Sequence, residues 1–257
     1  MIKLSVIIIA QDEEEKIGRC LDSVAPVADE IVVVDSGSMD NTVEICRQKG
    51  ARVVTHAFEG YVEQVRFAVA QANNPQVLSI DADEYLSPEL RQSIIEVKKD
   101  FSADAYAFNR RNIYCGKPVN HGGWYPDRKV RLWRTDCGEF GGVNPHNAVV
   151  MKPGSRIVRI RGDLVHCSYE SLDEHVRQAS RFTKIAISEL HARGRRVSRA
   201  GVLLRPAARF VRDYLFRLGF LDGRDGLTIA LVSALANYLK YAGLYRLNHE
   251  DTHQPHG

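Results

Sequence analysis

Short apolar runs alternating with helically spaced stretches over the first hundred residues constrain this chain more than any other feature of its sequence. Strands are expected at Leu4 to Ile9, Glu30 to Val34, Arg52 to Thr55 and Val77 to Ile80, with helices at about Glu14 to Val24, Asn41 to Lys49 and Tyr61 to Ala72. That alternation is the signature of a mainly parallel sheet covered on both faces. A further helix is expected from Ser87-Pro88, a cap residue followed by a proline at the first helical position. In open sheets of this kind ligands bind beyond the carboxyl ends of the strands. Three strands run out there into polar clusters: Gln11-Asp12-Glu13, Asp35-Ser36-Gly37-Ser38 and Asp81-Ala82-Asp83.

The pattern changes from Ala105 to Val165, which reads as β-rich and irregular, with Gly, Pro, Trp and Tyr gathered between Gly116 and Pro126 and again between Gly138 and Pro145. Such a segment is suited to form a loop-rich wall over the open side of a ligand site. After Ser171 the chain turns helical, at Ser171 to Ala192, roughly Pro206 to Leu218, and Leu227 to Leu247. The last helix is apolar but interrupted by Asn237 and Lys240, so its uninterrupted stretch is expected to be too short to span a bilayer. Burial against the domain and a place on a membrane surface both remain open for it.

Composition excludes some classes. At 257 residues, 44% hydrophobic and 26% charged, without repeats or low-complexity tracts, the chain reads as globular. Its five cysteines, at 20, 46, 115, 137 and 167, are odd in number and form no C-x-x-C pair, which argues against a disulfide framework or structural zinc and for a reducing compartment. Met1 to Ala10 reads as a strand and not an export signal, because the acidic Gln11 to Glu15 follows without a small-residue cleavage site. The net charge of +3 conceals an asymmetry: residues 1–155 carry 18 Lys/Arg against 22 Asp/Glu, residues 156–257 carry 17 against 10. Arg193, Arg195, Arg196, Arg199, Arg205, Arg209, Arg212 and Arg217 concentrate the positive charge. On helices they suit a phosphorylated glycolipid or an anionic leaflet, or simply a solvated face. No recognised nucleic-acid module surrounds them, so nucleic acid is not expected.

Two aspartates one residue apart at a strand end, as in Asp81-Ala82-Asp83, can divide labour. One faces a ribose or a positioning arginine, and the other reaches a divalent cation and its phosphate oxygens. Alone the pattern is weak, since acidic strand ends are commonly solvated turns. Asp35 to Thr42 adds a carboxylate, a turn glycine and cap hydroxyls where a nucleoside can dock, although a well-capped helix without a ligand reads the same way. Taken together, Ser5 to Glu13, Asp35 to Thr42 and Asp81 to Glu84, in this order and spacing, resemble the family 2 glycosyltransferases of the GT-A fold. Gly123-Trp124-Tyr125-Pro126-Asp127-Arg128, Val130-Arg131-Leu132-Trp133-Arg134, His166 with Tyr169, and Gly219-Phe220-Leu221-Asp222-Gly223 are similar to the lipopolysaccharide core subgroup, which includes β-glucosyltransferases. The resemblance runs to about residue 247.

That resemblance implies an α/β GT-A domain over residues 1–170, with a Rossmann-like nucleotide-sugar half (1–104) and a β-rich acceptor side (105–170), followed by a basic helical extension over 171–257. It implies a UDP-sugar donor, a glycolipid or oligosaccharide acceptor, and a peripheral place on the inner face of the cytoplasmic membrane. Asp35 would contact the uracil base, with Ala10, Glu13, Ser36 and Gly37 lining the same pocket. Asp81 and Ala82 would sit near ribose, and Asp83 would bind Mg²⁺ or Mn²⁺. His166 is either a further metal ligand or a packed, hydrogen-bonded histidine. Gln11-Asp12-Glu13 departs from the more usual Asn-Glu of the first turn. A second departure concerns the carboxylate that would take the acceptor proton in a single, inverting displacement. Relatives carry Val-His-Glu where this chain has Asn144-Pro145-His146-Asn147, so Asp127, Glu139 and His146 are the candidates left. Asp127 is favoured because it lies among rings able to stack on a sugar, with a structural ion pair to Arg128 or Arg131 as its alternative. Trp124, Tyr125, Trp133 and Arg131 are candidates for the acceptor site, the aromatics equally for core. A sugar nucleotidyltransferase and a non-catalytic nucleotide-sugar binding protein are the competing readings.

Overall fold

A computed structural model describes residues 1–143 and 146–250; the side chains of Val143, His146 and Glu250 lie outside that description. The chain forms two compact units, one of residues 1–111 with 127–167 and one of residues 112–126 with 168–257.

The first unit is built on the expected parallel sheet. β1 (Leu4–Ala10), β2 (Glu30–Asp35), β3 (Arg52–Thr55) and β4 (Gln76–Asp81) lie in the order β3-β2-β1-β4, all parallel. β5 (Glu84–Leu86), β6 (Ala105–Tyr114), β8 (Asp127–Arg134) and β11 (Ile157–Tyr169) extend it, and β7 (Lys117–Pro118) pairs with Ile113 and Tyr114 at the end of β6 within the second unit. β8 runs antiparallel to β4, and β6 antiparallel to β8. Much of the β-rich stretch therefore extends the sheet itself. A separate hairpin, β9 (Gly138–Val143) and β10 (His146–Met151), completes the set.

Helices α1 (Ile17–Val24), α2 (Thr42–Gln48), α3 (Tyr61–Ala70) and α4 (Pro88–Lys99) cover both faces. In α1, Ile17, Cys20, Leu21 and Val24 fall at i, i+3, i+4 and i+7, and all four are buried. Ser87 caps α4 by accepting from the Leu90 amide at 3.2 Å, with Pro88 in its first turn. Successive side chains of a strand point to opposite faces, and β1 follows this rule. Val6 and Ile8 join Leu21, Leu78 and Leu90 in one core; Ile7 joins Val34, Val65, Trp133 and Phe140 in the other. Each such side chain contributes about 1.5–3 kcal/mol by leaving water. β11 passes tightly over the start of α4, where a Cβ on Gly162 would lie 2.1 Å from the Leu90 nitrogen, so only glycine fits.

The second unit contains α5 (Leu172–Ala192), α6 (Arg199–Val211) with one π turn continuing to Phe216, a 3-10 turn at Gly219–Asp222, and α7 (Gly223–Glu250). α6 begins at Arg199 and not near Pro206, because the Ser198 hydroxyl accepts from the Gly201 amide and starts the helix earlier. Pro206 is buried inside it at the loss of one backbone hydrogen bond. The two glycine motifs prove to be packing points. Asp222 accepts from the amides of Asn120 and His121 and pairs with His121 Nδ1 at 2.9 Å. A Cβ on Gly123 would meet Asp213 at 2.7 Å, and one on Gly226 would meet the Gly219 carbonyl at 1.9 Å. An aromatic cluster of Tyr114, Trp124, Tyr169 and His175 fills this unit's interior. Contrary to the expectation from Asn237 and Lys240, the helical stretch Gly219–His249, 31 residues, is long and apolar enough by length and composition to cross a membrane. Two polar positions in so long a stretch do not lower its overall hydrophobicity enough to disqualify it.

Candidate active site

Strand register brings the three polar clusters together. Ala10 on β1 pairs with Asp35 on β2, and Ile9 pairs with Asp81 on β4, so the three strands end at one level. A cavity of about 280 Å³ opens where their loops emerge. Ile9, Ala10, Gln11 and Glu13 line it from the first loop, Ser36 from the second, and Asp81, Ala82 and Asp83 from the fourth. Phe58, Tyr61, Gln64 and His166 complete the wall.

The first two loops are laced to one another. Asp12 Oδ1 accepts from the Met39 amide at 2.8 Å, and the Asp12 amide donates to Ser38 Oγ at 2.9 Å. The Glu13 amide donates to Thr42 Oγ1 at 2.8 Å, and the Glu14 amide to Asp40 Oδ2 at 3.0 Å. Asp12 adopts a left-handed backbone with φ of 53°, a conformation Asp tolerates better than most residues. Asp35 is buried, and its carboxylate accepts from the Gly37 amide at 3.0 Å and from the amide and hydroxyl of Ser38. Gly37, with φ of 90°, lets the chain turn back over that carboxylate.

Beneath the fourth loop lies a charged network. Tyr61 donates to Asp81 Oδ1 at 2.6 Å, and Arg131 Nη2 to Asp81 Oδ2 at 3.2 Å. The same Arg131 nitrogen stands 3.6 Å from Glu84 Oε1, and Glu84 Oε2 accepts from the Asp81 amide at 3.0 Å. Glu84 is 0% exposed. Burial raises its pKa against the opposing Arg131 charge, with Asp81 adding to the rise. Burial works against the Arg131 guanidinium, but Glu84, Tyr61 and Asp81 hold it firmly protonated. Burial and the Asp81 charge also raise the Tyr61 hydroxyl, which therefore stays a donor. Arg110 extends the network, 3.7 Å from Glu84 and 3.1 Å from Asp127.

Asp83 and His166 form the cavity's second charged pair. β11 runs antiparallel to β5 with His166 opposite Glu84, which brings His166 Nε2 to 3.1 Å from Asp83 Oδ2. Burial disfavours charge on both groups. The mutual hydrogen bond and charge override it, lowering Asp83 and raising His166. Among the described residues no group of three His, Cys, Asp or Glu side chains is placed to hold a metal.

The profile described as Glycosyl transferase family 2 matches residues 5–155, more than half of the chain and every loop of this cavity before His166. The chain belongs to glycosyltransferase family 2. An uncharacterized glycosyltransferase of Rickettsia typhi is 30% identical over 96% of this chain and 88% of its own length. The lipopolysaccharide core biosynthesis glycosyltransferase LpsC of Rhizobium meliloti is 27% identical over 97% of each chain. Among solved structures, glucosyl-3-phosphoglycerate synthase of Mycobacterium tuberculosis in complex with Mn²⁺, uridine diphosphate and phosphoglyceric acid is 18% identical, covering 72% of this chain and 76% of that one, with a TM-score of 0.47. The mixed α/β sheet of this family 2 enzyme is the GT-A fold.

In this glycosyltransferase Ala10, Glu13, Ser36, Asp81, Ala82, Asp83 and His166 share one cavity, while Asp35 and Gly37 shape the turn behind Ser36. Arg131 is 6% exposed, buried against Asp81 and Glu84. Trp133 is core, donating to the Gly138 carbonyl at 3.2 Å. Trp124 and half-buried Tyr125 belong to the second unit. Asp127 pairs with Arg110 at 3.1 Å and Lys129 at 3.2 Å, not with its neighbours Arg128 or Arg131. Glu139, 76% exposed at its side chain, stands 3.6 Å from Arg66. The side chain of His146 lies outside the described residues.

Sequence reasoning did not identify Tyr61, Gln64 and Glu84 as site residues. Gln64 is fully buried and bridges the second loop to α3, donating to Ser36 Oγ at 2.9 Å and meeting His56 Nδ1 at 2.9 Å. A polar residue among the apolar positions of α3 was the available signal for it. Glu84 directly follows the paired aspartates, where it reads as one more solvated turn acid.

Proposed function

We propose that this enzyme takes a sugar from a uridine diphosphate donor, glucose being the sugar of first choice, and passes it with inversion to a lipopolysaccharide core or related lipid-linked oligosaccharide. The observation that carries the reading is the cavity in which Asp81, Asp83 and His166 stand beyond strand ends held in register. The lipopolysaccharide core biosynthesis role of the Rhizobium meliloti relative supports the acceptor class.

In this reading the nucleoside lies over Ala10, Glu13, Ser36 and Gly37. A carboxylate offers about four acceptor sites. Asp35 takes four contacts from three donors of its own turn, and meets the base by exchanging one of them. Asp81, clamped by Tyr61 and Arg131, faces the ribose. Asp83 and His166 fit a divalent cation, Mg²⁺ or Mn²⁺: a hard carboxylate oxygen and an imidazole acceptable to Mn²⁺, with water and phosphate oxygens for the other positions. When bound, such an ion neutralises charge developing on the departing diphosphate.

A carboxylate must take the acceptor proton as its oxygen attacks the anomeric carbon. Asp127 is the favoured base, with Glu139 and His146 as the other candidates. To act, Asp127 exchanges Arg110 or Lys129 for the acceptor hydroxyl. Those ion pairs also favour a second reading, a protein that binds the donor without transferring it.

Calorimetry with UDP in the presence and absence of Mn²⁺, joined to a transfer assay on a heptose-containing core acceptor, tests the proposal. Metal-dependent binding and transfer, both lost in Asp83→Ala, are expected. Normal turnover by Asp83→Ala would overturn it, and tight metal-dependent binding without any product would favour the second reading.

A further inference from the structure

The second unit wears its apolar side outward. In α6 the residues Ala200, Leu203, Leu204, Ala207, Ala208 and Val211 follow the i, i+3, i+4, i+7 spacing of a single helix face, and every one is exposed, Leu203 and Leu204 at 66% each. A soluble helix turns such a stripe toward its core. The arginines of α6 take polar and aromatic partners on α7 while staying exposed: Arg199 Nε donates to the Tyr245 hydroxyl at 2.8 Å, and Arg205 covers the Tyr241 ring at 4.6 Å. Arg209 and Arg212 both bind the buried Asp213.

The apolar surface continues beyond α6. Leu215, Phe216, Leu218, Phe220 and Leu221 are exposed in the connection to α7, Phe216 at 79%. Along α7, Leu227, Leu231, Leu235 and Leu239 recur four apart and are all exposed. Only 17% of the most apolar 18 residues of that helical stretch is buried. Exposed apolar surface on this scale marks an interaction site.

Charge selects the occupant. Residues 193–217 hold eight arginines and a single acid, Asp213. A two-fold interface between copies sets the same patch against itself, and so would bring these arginine-rich segments together. An anionic lipid surface instead receives the apolar stripe among its acyl chains and the arginines among its headgroups. Crossing the bilayer is disfavoured, because α7 is bound through Tyr241 and Tyr245 to arginines that would be drawn into hydrocarbon.

We infer that the outer face of α6, the 215–221 connection and the leucine stripe of α7 form a monotopic docking surface for an anionic lipid bilayer. This deepens, and rests on, the reading of a lipid-linked acceptor given above.

Co-sedimentation of the full chain with phosphatidylcholine vesicles, with and without phosphatidylglycerol, tests it. The protein is expected to pellet with the anionic vesicles and to lose at least about tenfold in vesicle affinity in Leu203→Glu/Leu204→Glu and in Leu231→Glu/Leu235→Glu. Arg195→Gln/Arg196→Gln, which alters two exposed arginines and no apolar contact, should lower the anionic preference alone. Helical circular dichroism and UDP binding by calorimetry should be equal in all variants, the first confirming that the helices of the second unit are folded. Failure of the wild type to pellet with anionic vesicles, or wild-type affinity in both leucine variants, overturns the inference. So does a lipid-free dimer that Leu203→Glu/Leu204→Glu converts to monomer, since it assigns the surface to a second copy. Vesicle binding without UDP binding would leave this surface standing and sink the donor reading instead.

Discussion

The two units break the inside-outside rule in opposite directions. In the first, charged groups are drawn inward: Glu84 and Arg131 are buried beneath the Asp81 loop, and Asp35 is buried beneath the second. In the second, leucines face out along α6 and α7. Buried charge and exposed apolar surface are both costly in isolation, so each marks a place where something other than stability has set the residue. In the first unit that something is a carboxylate held in one orientation. In the second it is a surface in need of a partner.

The comparison can be broken most forcefully at Glu84. Glu84→Ala leaves the buried Arg131 charge with one of its two acids and should cost about 4 kcal/mol in urea denaturation, while Glu84→Gln, which can still accept the Asp81 amide, should cost less. A loss below about 1 kcal/mol would mean that the network is hydrated and not buried. Next in size, Asp83→Ala should lower kcat/KM for donor turnover about 10² to 10³-fold, or about 3 kcal/mol, without unfolding the protein by circular dichroism.

A third test uses pH. Burial in the aromatic cluster pushes His175 down to about 4, so between that value and its ordinary 6.5 the unfolded chain holds a proton that the folded chain does not. Stability should be at its plateau above about pH 6.5 and fall by about 2 kcal/mol as pH drops toward 4, a slope that His175→Phe should flatten. The Asp83–His166 pair behaves differently. Its contribution from the raised histidine is full below the ordinary histidine value and fades as pH rises through the folded one, and its contribution from the lowered carboxylate fades only in stronger acid. Smallest of all, Leu204→Gln on the outer face of α6 should change stability by less than about 0.5 kcal/mol, whereas Leu78→Ala in the sheet should cost about 2–5 kcal/mol. Equal costs at these two leucines would erase the contrast between the units.

How far the sequence speaks differs between them as well. The parallel core was legible because its apolar periodicity and its breaks agree: Arg52 to Thr55 is strand as read, and the other three parallel strands differ from the reading by a residue or so at their ends. The polar clusters at the strand exits were legible for the same reason, since the strands that carry them are near neighbours in length and register. Glu84 and Arg131 were not, because a single sequence gives no sign of which turn acid will be buried until β8 is known to lie beside β4. The start of α6 was misplaced because proline was taken as a boundary, when the Ser198 cap had already begun the helix. Its reversed amphipathicity cannot be read from periodicity at all, since a moment has a direction only relative to a neighbour.

The stitching between the first and second loops has a consequence for how a ligand is received. Asp12, Glu13 and Glu14 are tied to Ser38, Met39, Asp40 and Thr42 before any nucleotide arrives. The conformational entropy of that seat is spent during folding and not at the moment of encounter. On the proposed uridine diphosphate donor, uridine alone should therefore dock almost rigidly, with little ordering of the chain, and any disorder-to-order change on binding the complete donor should arise at its diphosphate and sugar end.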